Sequence, residues 1–269
     1  MRAGRAWAIL GALMRRAAPW LVLLAALAAC GGTTATVAAE RKPAEDDYNT
    51  AVAELGEKNF AEAQKLFERV KTKYPYSKYA ALAELRLGDL RFKEEKYAEA
   101  AELYAQFVKM HPSHEEVDLA AFRVGLARHQ EMPGDFFLFP PTHERDMSSA
   151  EGALKAFEEF LRKYPNSKHA EEARKKLDEV RGRFAEREWY VAGFYQKRER
   201  WPGVAARLER LVKEYPGSAR EPEALLGLAE AYLKLNERFR AQQALQQLIV
   251  RHPKDPRRAE AEKLLASLR

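Results

Sequence analysis

The strongest constraint on the fold of this chain is a pattern that recurs five times and ends each time in a proline. The residue before the proline is aromatic or histidine, the residue eight positions before it is large and apolar, and the residue twelve positions before it is smaller. The prolines are Pro75, Pro112, Pro165, Pro216 and Pro253, the large residues are Phe67, Tyr104, Phe157, Leu208 and Leu245, and the smaller ones are Ala63, Ala100, Ala153, Val204 and Ala241.

These offsets have a physical meaning if each pattern is one helix. Positions four residues apart lie on the same face of an α-helix, so the small residue lets a neighbouring helix approach and the large residue fills the space beside it. Proline then stops the helix because it cannot continue the hydrogen-bonded turn. The pattern is typical of the second helix of a tetratricopeptide repeat (TPR), a unit of two helices.

The first helix of a pair is marked by a bulky residue followed by glycine or alanine, at Leu87-Gly88, Val124-Gly125, Val191-Ala192 and Leu228-Ala229. Aromatic residues between the two helices, at Asn59-Phe60, Lys96-Tyr97 and Arg238-Phe239, are predicted to cap the core of their repeats. No segment has the alternation typical of a strand. The sequence therefore predicts an all-α TPR solenoid of about five helix pairs, whose concave surface binds partners.

Two repeats are longer than the others, because successive prolines are 37, 53, 51 and 37 residues apart. Repeat 3 has about 16 extra residues between its helices, which predicts an inserted loop over residues 131–147. Residues 167 to about 200 are predicted to form one long helix leading into repeat 4. The predicted divisions are residues 47–112 for repeats 1 and 2, 113–165 for repeat 3, and 166–269 for the long helix with repeats 4 and 5.

The inserted loop contains the sequence Phe136-Phe137-Leu138-Phe139-Pro140-Pro141. Four adjacent large apolar residues are costly to leave in water. Two interpretations stay open: the segment folds back onto the concave side of the repeats, or it is a plug that binds a partner.

The N-terminus has the order of a secretory signal, with four arginines, an apolar stretch over residues 17–29 and small residues before Cys30. Leu27-Ala28-Ala29-Cys30 resembles a bacterial lipobox, which implies a signal peptide over residues 1–29 and acylation of Cys30. Residues 30–46 are predicted to be a flexible tether. The alternatives are an uncleaved anchor or ordinary secretion, and Met14 is a second possible start of the chain.

Composition argues against several classes of function. The chain carries 46 basic and 40 acidic residues, but four arginines and no acidic residue lie in the first 29, so loss of the signal lowers the formal charge from +6 to +2. No nucleic-acid partner is therefore indicated. Cys30 is the only cysteine, the six histidines are scattered, and no glycine-rich phosphate loop is present. We expect no catalytic residues, cofactor or metal, and no enzyme activity.

A cluster of aromatic residues and arginines precedes the fourth repeat proline. It comprises Trp189, Tyr190, Phe194, Tyr195 and Trp201 with Arg198, Arg200 and Arg207. Some of these aromatic residues must belong to the core, but aromatic residues with arginine are also typical anchors of protein interfaces.

The lipobox, the five repeats, the insertion in repeat 3 and the long helix before repeat 4 together resemble the BamD family, the TPR lipoproteins of the bacterial outer-membrane β-barrel assembly machinery. Local motifs agree, including His111-Pro112-Ser113-His114, Tyr164-Pro165-Asn166-Ser167, the run from Val191 to Tyr195, and Arg200-Trp201. The similar region covers about residues 46–235.

The resemblance implies a scaffold in the outer membrane, anchored by lipid on Cys30 and facing the periplasm. The C-terminal repeats would bind a BamA-like barrel-forming subunit, with Arg207, Trp201 and Arg198 as contact residues. The N-terminal repeats would bind unfolded outer-membrane proteins at Tyr74 and Tyr79. Accessory lipoproteins are further expected partners. The alternatives to these roles are a surface ion pair of Arg207 with Glu209 or nearby acids, and packing of Tyr74 within its repeat.

Two other functions remain open on the sequence. One is a generic periplasmic TPR adaptor in cell-wall or export machinery, and the other is an accessory protein of a peptidoglycan enzyme. The absence of a paired nucleophile and base argues against the second.

The lipobox generates a direct test. We expect the full chain to incorporate an alkyne-labelled fatty acid and to fractionate with membranes, because acyl chains partition into the bilayer. Cys30→Ala should abolish the label. Labelling that persists in this variant would contradict the assignment of the acylated residue.

Overall fold

The computed structural model describes the backbone of residues 33–133 and 146–268. The predicted signal peptide, Cys30 and the segment 136–141 lie outside this part of the chain. The described ranges contain eleven α-helices and no strand, which confirms the predicted all-α TPR fold. None of the helices in these ranges is long and apolar enough to span a bilayer.

The helices follow one another with short connections. They are α1 (Thr33–Gly56), α2 (Phe60–Lys73), α3 (Lys78–Lys93), α4 (Tyr97–Met110), α5 (Val117–Glu131), α6 (Ser148–Lys163), α7 (Ala170–Gln196), α8 (Trp201–Glu214), α9 (Glu221–Lys234), α10 (Arg238–Arg251) and α11 (Arg258–Ser267). The predicted long helix is confirmed as α7, and the predicted inserted loop falls between α5 and α6.

The N-terminal segment differs from the prediction. The sequence indicates a tether up to residue 46, whereas α1 begins at Thr33. Ala44, Tyr48 and Ala51 are buried, so tertiary packing fixes this part of α1. The helix continues toward the N-terminus past Pro43, which lies inside α1.

The chain forms two compact units, one ending at Leu90 and the other beginning at Arg91. In the first unit, α1 packs against α2, and the ring of Tyr48 lies 6.0 Å from that of Phe67 and 5.4 Å from that of Tyr79. In the second unit, every helix from α4 to α11 packs against the next helix along the chain, and α5 also contacts α7. This nearest-neighbour packing is characteristic of repeat proteins.

The five-fold pattern has the predicted role in the core. All ten of its small and large residues are 2% exposed or less. The residue before each proline takes nearly the same conformation, with φ between −128° and −124° and ψ between 54° and 60°. Proline disfavours the helical region for the residue before it, which ends all five helices at this point.

The turn within a repeat has its own signature. A residue other than glycine takes a positive φ, between 54° and 64°, two positions before the next helix begins, at Lys58, Glu95, Glu199 and Asn236. The helix then begins with an aromatic residue at Phe60, Tyr97 and Trp201, but with arginine at Arg238. Phe239 is shifted by one position and is 70% exposed. The prediction that Phe239 caps a core is therefore wrong.

Close packing of the two helices in repeat 3 leads to a prediction at Gly125. A Cβ atom there would lie 2.6 Å from ring atoms of Phe157. We expect Gly125→Ala to lower the free energy of unfolding by about 1–3 kcal/mol, because the buried ring must move.

Gly182→Ala is the matched control, since a Cβ at Gly182 in α7 meets nothing within 4 Å. This variant should be as stable as the parent chain or more stable by up to about 1 kcal/mol. Urea unfolding followed by circular dichroism measures both, and equal effects would contradict the proposed close contact.

Candidate functional site

The aromatic cluster predicted from the sequence is divided by the structure into buried and exposed members. Trp189, Tyr195 and Trp201 are partly buried and pack against the hydrophobic core of the second unit. Tyr190 and Phe194 lie one turn apart on α7 and are 45% and 48% exposed. Trp189, Tyr195 and Trp201 therefore belong with the core, and the interface interpretation stays a prediction for Tyr190 and Phe194.

The exposed aromatic residues line a depression of about 410 Å³ on the second half of α7. The guanidinium carbon of Arg198 lies 3.6 Å from the centre of the Phe194 ring, and Arg198 Nη1 donates a hydrogen bond of 3.2 Å to the carbonyl oxygen of Phe194. The ring and the cation are thus held together as one exposed feature.

The depression carries positive charge. Arg220 at its edge pairs with Glu186 at 2.8 Å and with Glu223 at 2.6 Å. These two carboxylates raise the pKa of Arg220 through hydrogen bonds. Lys197 and Arg198 form no ion pair with any residue in the part of the chain that the structure describes. These two cations are therefore free to pair with an acidic side chain of another protein.

Arg207 belongs to an ion-pair network around a buried carboxylate. Its Nη1 atom lies 3.1 Å from Glu188 Oε2, and Arg210 Nη1 lies 3.3 Å from the other oxygen, Oε1. Glu188 is one of two charged residues that are buried in the described ranges. Arg210 also pairs with Glu214 at 2.9 Å, and Glu214 with Glu188 raises the pKa of Arg210. The Arg207 side chain remains 37% exposed.

Pairing of Arg207 with Glu209, one alternative drawn from the sequence, is wrong. Glu209 instead accepts hydrogen bonds from the Tyr232 hydroxyl and from Arg240 Nη2. Burial and the neighbouring Glu209 raise the pKa of Tyr232. The partner of Arg207 is 19 residues away on α7, so only the packing of α7 against α8 brings the two together.

Trp201 begins α8 and lines a separate cavity of about 540 Å³ with residues of α9 and α11. Its ring lies 5.8 Å from Lys234 Nζ. Trp201 therefore does not line the depression that contains Phe194 and Arg198, although the three lie close together in the sequence.

The tyrosines expected to bind substrate are core residues of the first unit. Tyr74 and Tyr79 are both buried, with Lys73 Nζ 5.1 Å from the Tyr74 ring and Lys78 Nζ 5.0 Å from the Tyr79 ring. The exposed aromatic residue of this turn is Tyr76, at 98%, which sequence reasoning missed. Its position directly after Pro75, between two helices, is the signal that could have identified it.

The described ranges hold no group of three His, Cys, Asp or Glu residues able to bind a metal. His129 Nε2 lies 3.0 Å from Glu179 Oε2, and burial together with the nearby Lys176 lowers the pKa of His129. This pair connects α5 to α7 and needs no further function.

Comparison with known proteins gives a match over most of the chain. The sequence model of the YfiO family, described as outer membrane lipoproteins, matches residues 40–248. An outer membrane protein assembly factor BamD from Xylella fastidiosa strain Temecula1 is 29% identical over 231 residues, covering 84% of this chain and 78% of the relative. A BamD from Vibrio cholerae is 27% identical over 191 residues, covering 70% of this chain and 79% of the relative.

Among solved structures, a complex of the TPR2AB domain of yeast Sti1 with pHSP90 covers 84% of this chain and 87% of its own, at 14% identity and a TM-score of 0.42. The assignment of TPR repeats to this chain rests on its own helices and their repeated turns.

The network around Glu188 predicts that removing only its arginines costs more stability than removing the arginines and the carboxylate charge together. Arg207→Ala combined with Arg210→Ala leaves a buried carboxylate without a cation, which should cost about 3 kcal/mol of unfolding free energy. Adding Glu188→Gln to that double variant should recover most of the loss, because the neutral amide needs no counter-ion.

Urea unfolding of the double and triple variants measures this difference. If the triple variant is less stable than the double variant, Glu188 is not held by these two arginines in the manner described.

Proposed function

Because this chain belongs to the YfiO family of outer membrane lipoproteins, we propose that it is a scaffold, not an enzyme, that helps to assemble β-barrel proteins into the outer membrane. The match over residues 40–248 and the BamD relatives carry this proposal. The lipid on Cys30 would hold the chain at the outer membrane with its repeats in the periplasm.

The finer proposal is that the second half of α7 binds a BamA-like barrel-forming subunit. Phe194 with its stacked Arg198 provides the aromatic and arginine anchor that dominates many protein interfaces. Lys197 and Arg198 add unneutralised charge for an acidic group of the partner. Arg207, with about a third of its side chain exposed, would extend this contact along α8.

Trp201 has a different part in this proposal. It begins α8 and packs against the core, so it would position α8 and Arg207 without itself carrying the contact energy.

Unfolded outer-membrane proteins would bind to the N-terminal unit. Tyr74 and Tyr79 are buried, so they would shape that site from within, and Tyr76 would make the direct contact. Accessory lipoproteins are proposed as further partners, without an assigned surface.

A single purification tests the assembly role. With a tag at the C-terminus and gentle extraction of membranes, we expect recovery of a large protein with repeated periplasmic domains and a C-terminal barrel. Recovery of wall-synthesis or export proteins in its place would contradict the proposal and support a generic TPR adaptor.

Surface variants test the proposed interface. Phe194→Ala with Arg198→Ala should weaken binding of the purified periplasmic domains by tenfold or more, on the order expected for interface anchors. Met110→Ala, which removes an exposed apolar side chain from α4, is the control and should bind like the parent chain.

Arg207→Gln should give a smaller loss than the Phe194 and Arg198 variant, because Arg210 still pairs with Glu188. Charge reversal at Arg207 is less informative, since it would place a second carboxylate beside Glu188 and disturb the packing of α7 against α8.

A further inference from the structure

Helix α10 differs in charge from every other helix in the described ranges. Its sequence, RFRAQQALQQLIVR, has three arginines and four glutamines and no aspartate or glutamate. Each of the other ten helices carries at least one carboxylate. An acid-free helix on an otherwise balanced chain offers a positively charged face.

Two large apolar side chains on this face of α10 are exposed to solvent. Phe239 is 70% exposed and Val250 is 76% exposed. With Gln243 and Gln246 they follow the spacing 239, 243, 246 and 250, which places all four on one stripe of the helix. Phe239 reaches the stripe because Arg238 occupies the first position of α10, where earlier repeats have an aromatic residue.

A groove of about 520 Å³ runs beside the stripe, between α8 and α10. Its floor is apolar and includes Val212, Leu225 and Leu228, and its α10 wall carries Arg240, Gln243, Gln247 and Arg251. This groove shares no residue with the depression around Phe194.

The cations on and near α10 differ in whether they form ion pairs. Arg240 is held by Glu209 and Glu237, and Arg251 Nη1 donates to the buried Glu221 at 2.9 Å. Lys213 lines the groove, whereas Arg238 is the first residue of α10 and Lys254 follows its C-terminal end. None of these three cations forms an ion pair with a residue of the described ranges. The paired arginines restrict the shape of the wall. Glu209 also lines the groove, but the three unpaired cations outnumber the one carboxylate in excess around Arg240, so the surface keeps a net positive charge.

We propose that the outer face of α10 and the adjoining groove, together the α10 surface, bind an acidic segment of a protein partner. Apolar side chains of that segment would pack on Phe239 and Val250, which are separated by about 16 Å along the helix. Its carboxylates would pair with Lys213, Arg238 and Lys254, and the side-chain amides of Gln243 and Gln247 would bond to its backbone. This surface is independent of the interface proposed on α7.

A protein segment explains the surface better than an anionic membrane does. A helix that lies on a bilayer presents a continuous apolar face, whereas polar glutamines separate Phe239 from Val250. The groove also has an apolar floor and a polar wall whose arginines are held by ion pairs, and these are features that suit a peptide.

Photocrosslinking in the full chain tests the proposal. A benzoylphenylalanine residue at Gln243 or Gln246 should form an adduct in cells with a protein segment rich in aspartate and glutamate, mapped by mass spectrometry. A synthetic peptide of the mapped segment should then bind the purified protein, as measured by fluorescence anisotropy.

Matched variants decide which contacts matter. Lys213→Glu with Arg238→Glu should weaken the peptide by tenfold or more, and Phe239→Ala with Val250→Ala by about fivefold. Lys109→Glu and Met110→Ala make the same kinds of change on α4 and should bind like the parent chain.

Three results would overturn the proposal. They are the absence of an adduct, an adduct on a segment without an excess of acidic residues, and binding to phosphatidylglycerol vesicles that the Lys213 and Arg238 changes abolish. Because the Phe194 and Arg198 variant keeps the α10 surface intact, it should bind the peptide normally, so this proposal can fail while the assembly role stands.

Discussion

The backbone conformation of the residue before each repeat proline is the constraint on which the rest of the molecule depends. Five different helices end in the same narrow range of φ and ψ because proline excludes the helical region for its predecessor. The same turn follows each time, with the N–H of the residue three positions after the helix end bonding back to that end, as Ser77 does to Tyr74 and Ser167 to Tyr164. Because each helix packs mainly against its neighbours along the chain, these turns set the positions of the helices that follow them.

Features that depend on local spacing could be predicted from the sequence, and features that depend on packing could not. Offsets of four and eight residues specify a helix face, so the ten core positions, the long helix α7 and the insertion between α5 and α6 followed from spacing alone. The one-residue shift that exposes Phe239 could not be predicted, because Arg238 and Phe239 are adjacent and only the turn at Asn236 decides which begins the helix. The pairing of Arg207 with Glu188 likewise depends on how α7 packs against α8.

The charged residues of the last two repeats fall into two groups with different consequences. Glu188 and Glu221 are buried, and each is paired with arginine on another helix. Buried ion pairs contribute little net stability, but they penalise any other packing of the same helices. The paired arginines therefore restrict the positions of the helices, whereas Lys197, Arg198 and Lys213 form no ion pair in the described ranges and are the cations proposed to contact other molecules. Arg207 belongs to both groups, since it pairs with the buried Glu188 and its side chain is still 37% exposed.

The insertion in repeat 3 has a consequence for engineering. Sixteen residues separate Glu131 from Ser148, yet α5 and α6 pack against each other as the helices of other repeats do. Since the entropy of closing a loop grows only with the logarithm of its length, sixteen residues cost about 1.5 kcal/mol more than the usual three. Met132 and Met147, at the two ends of the segment, are buried in the core, so any exchange of the segment for a reporter domain or an affinity tag has to keep these two residues.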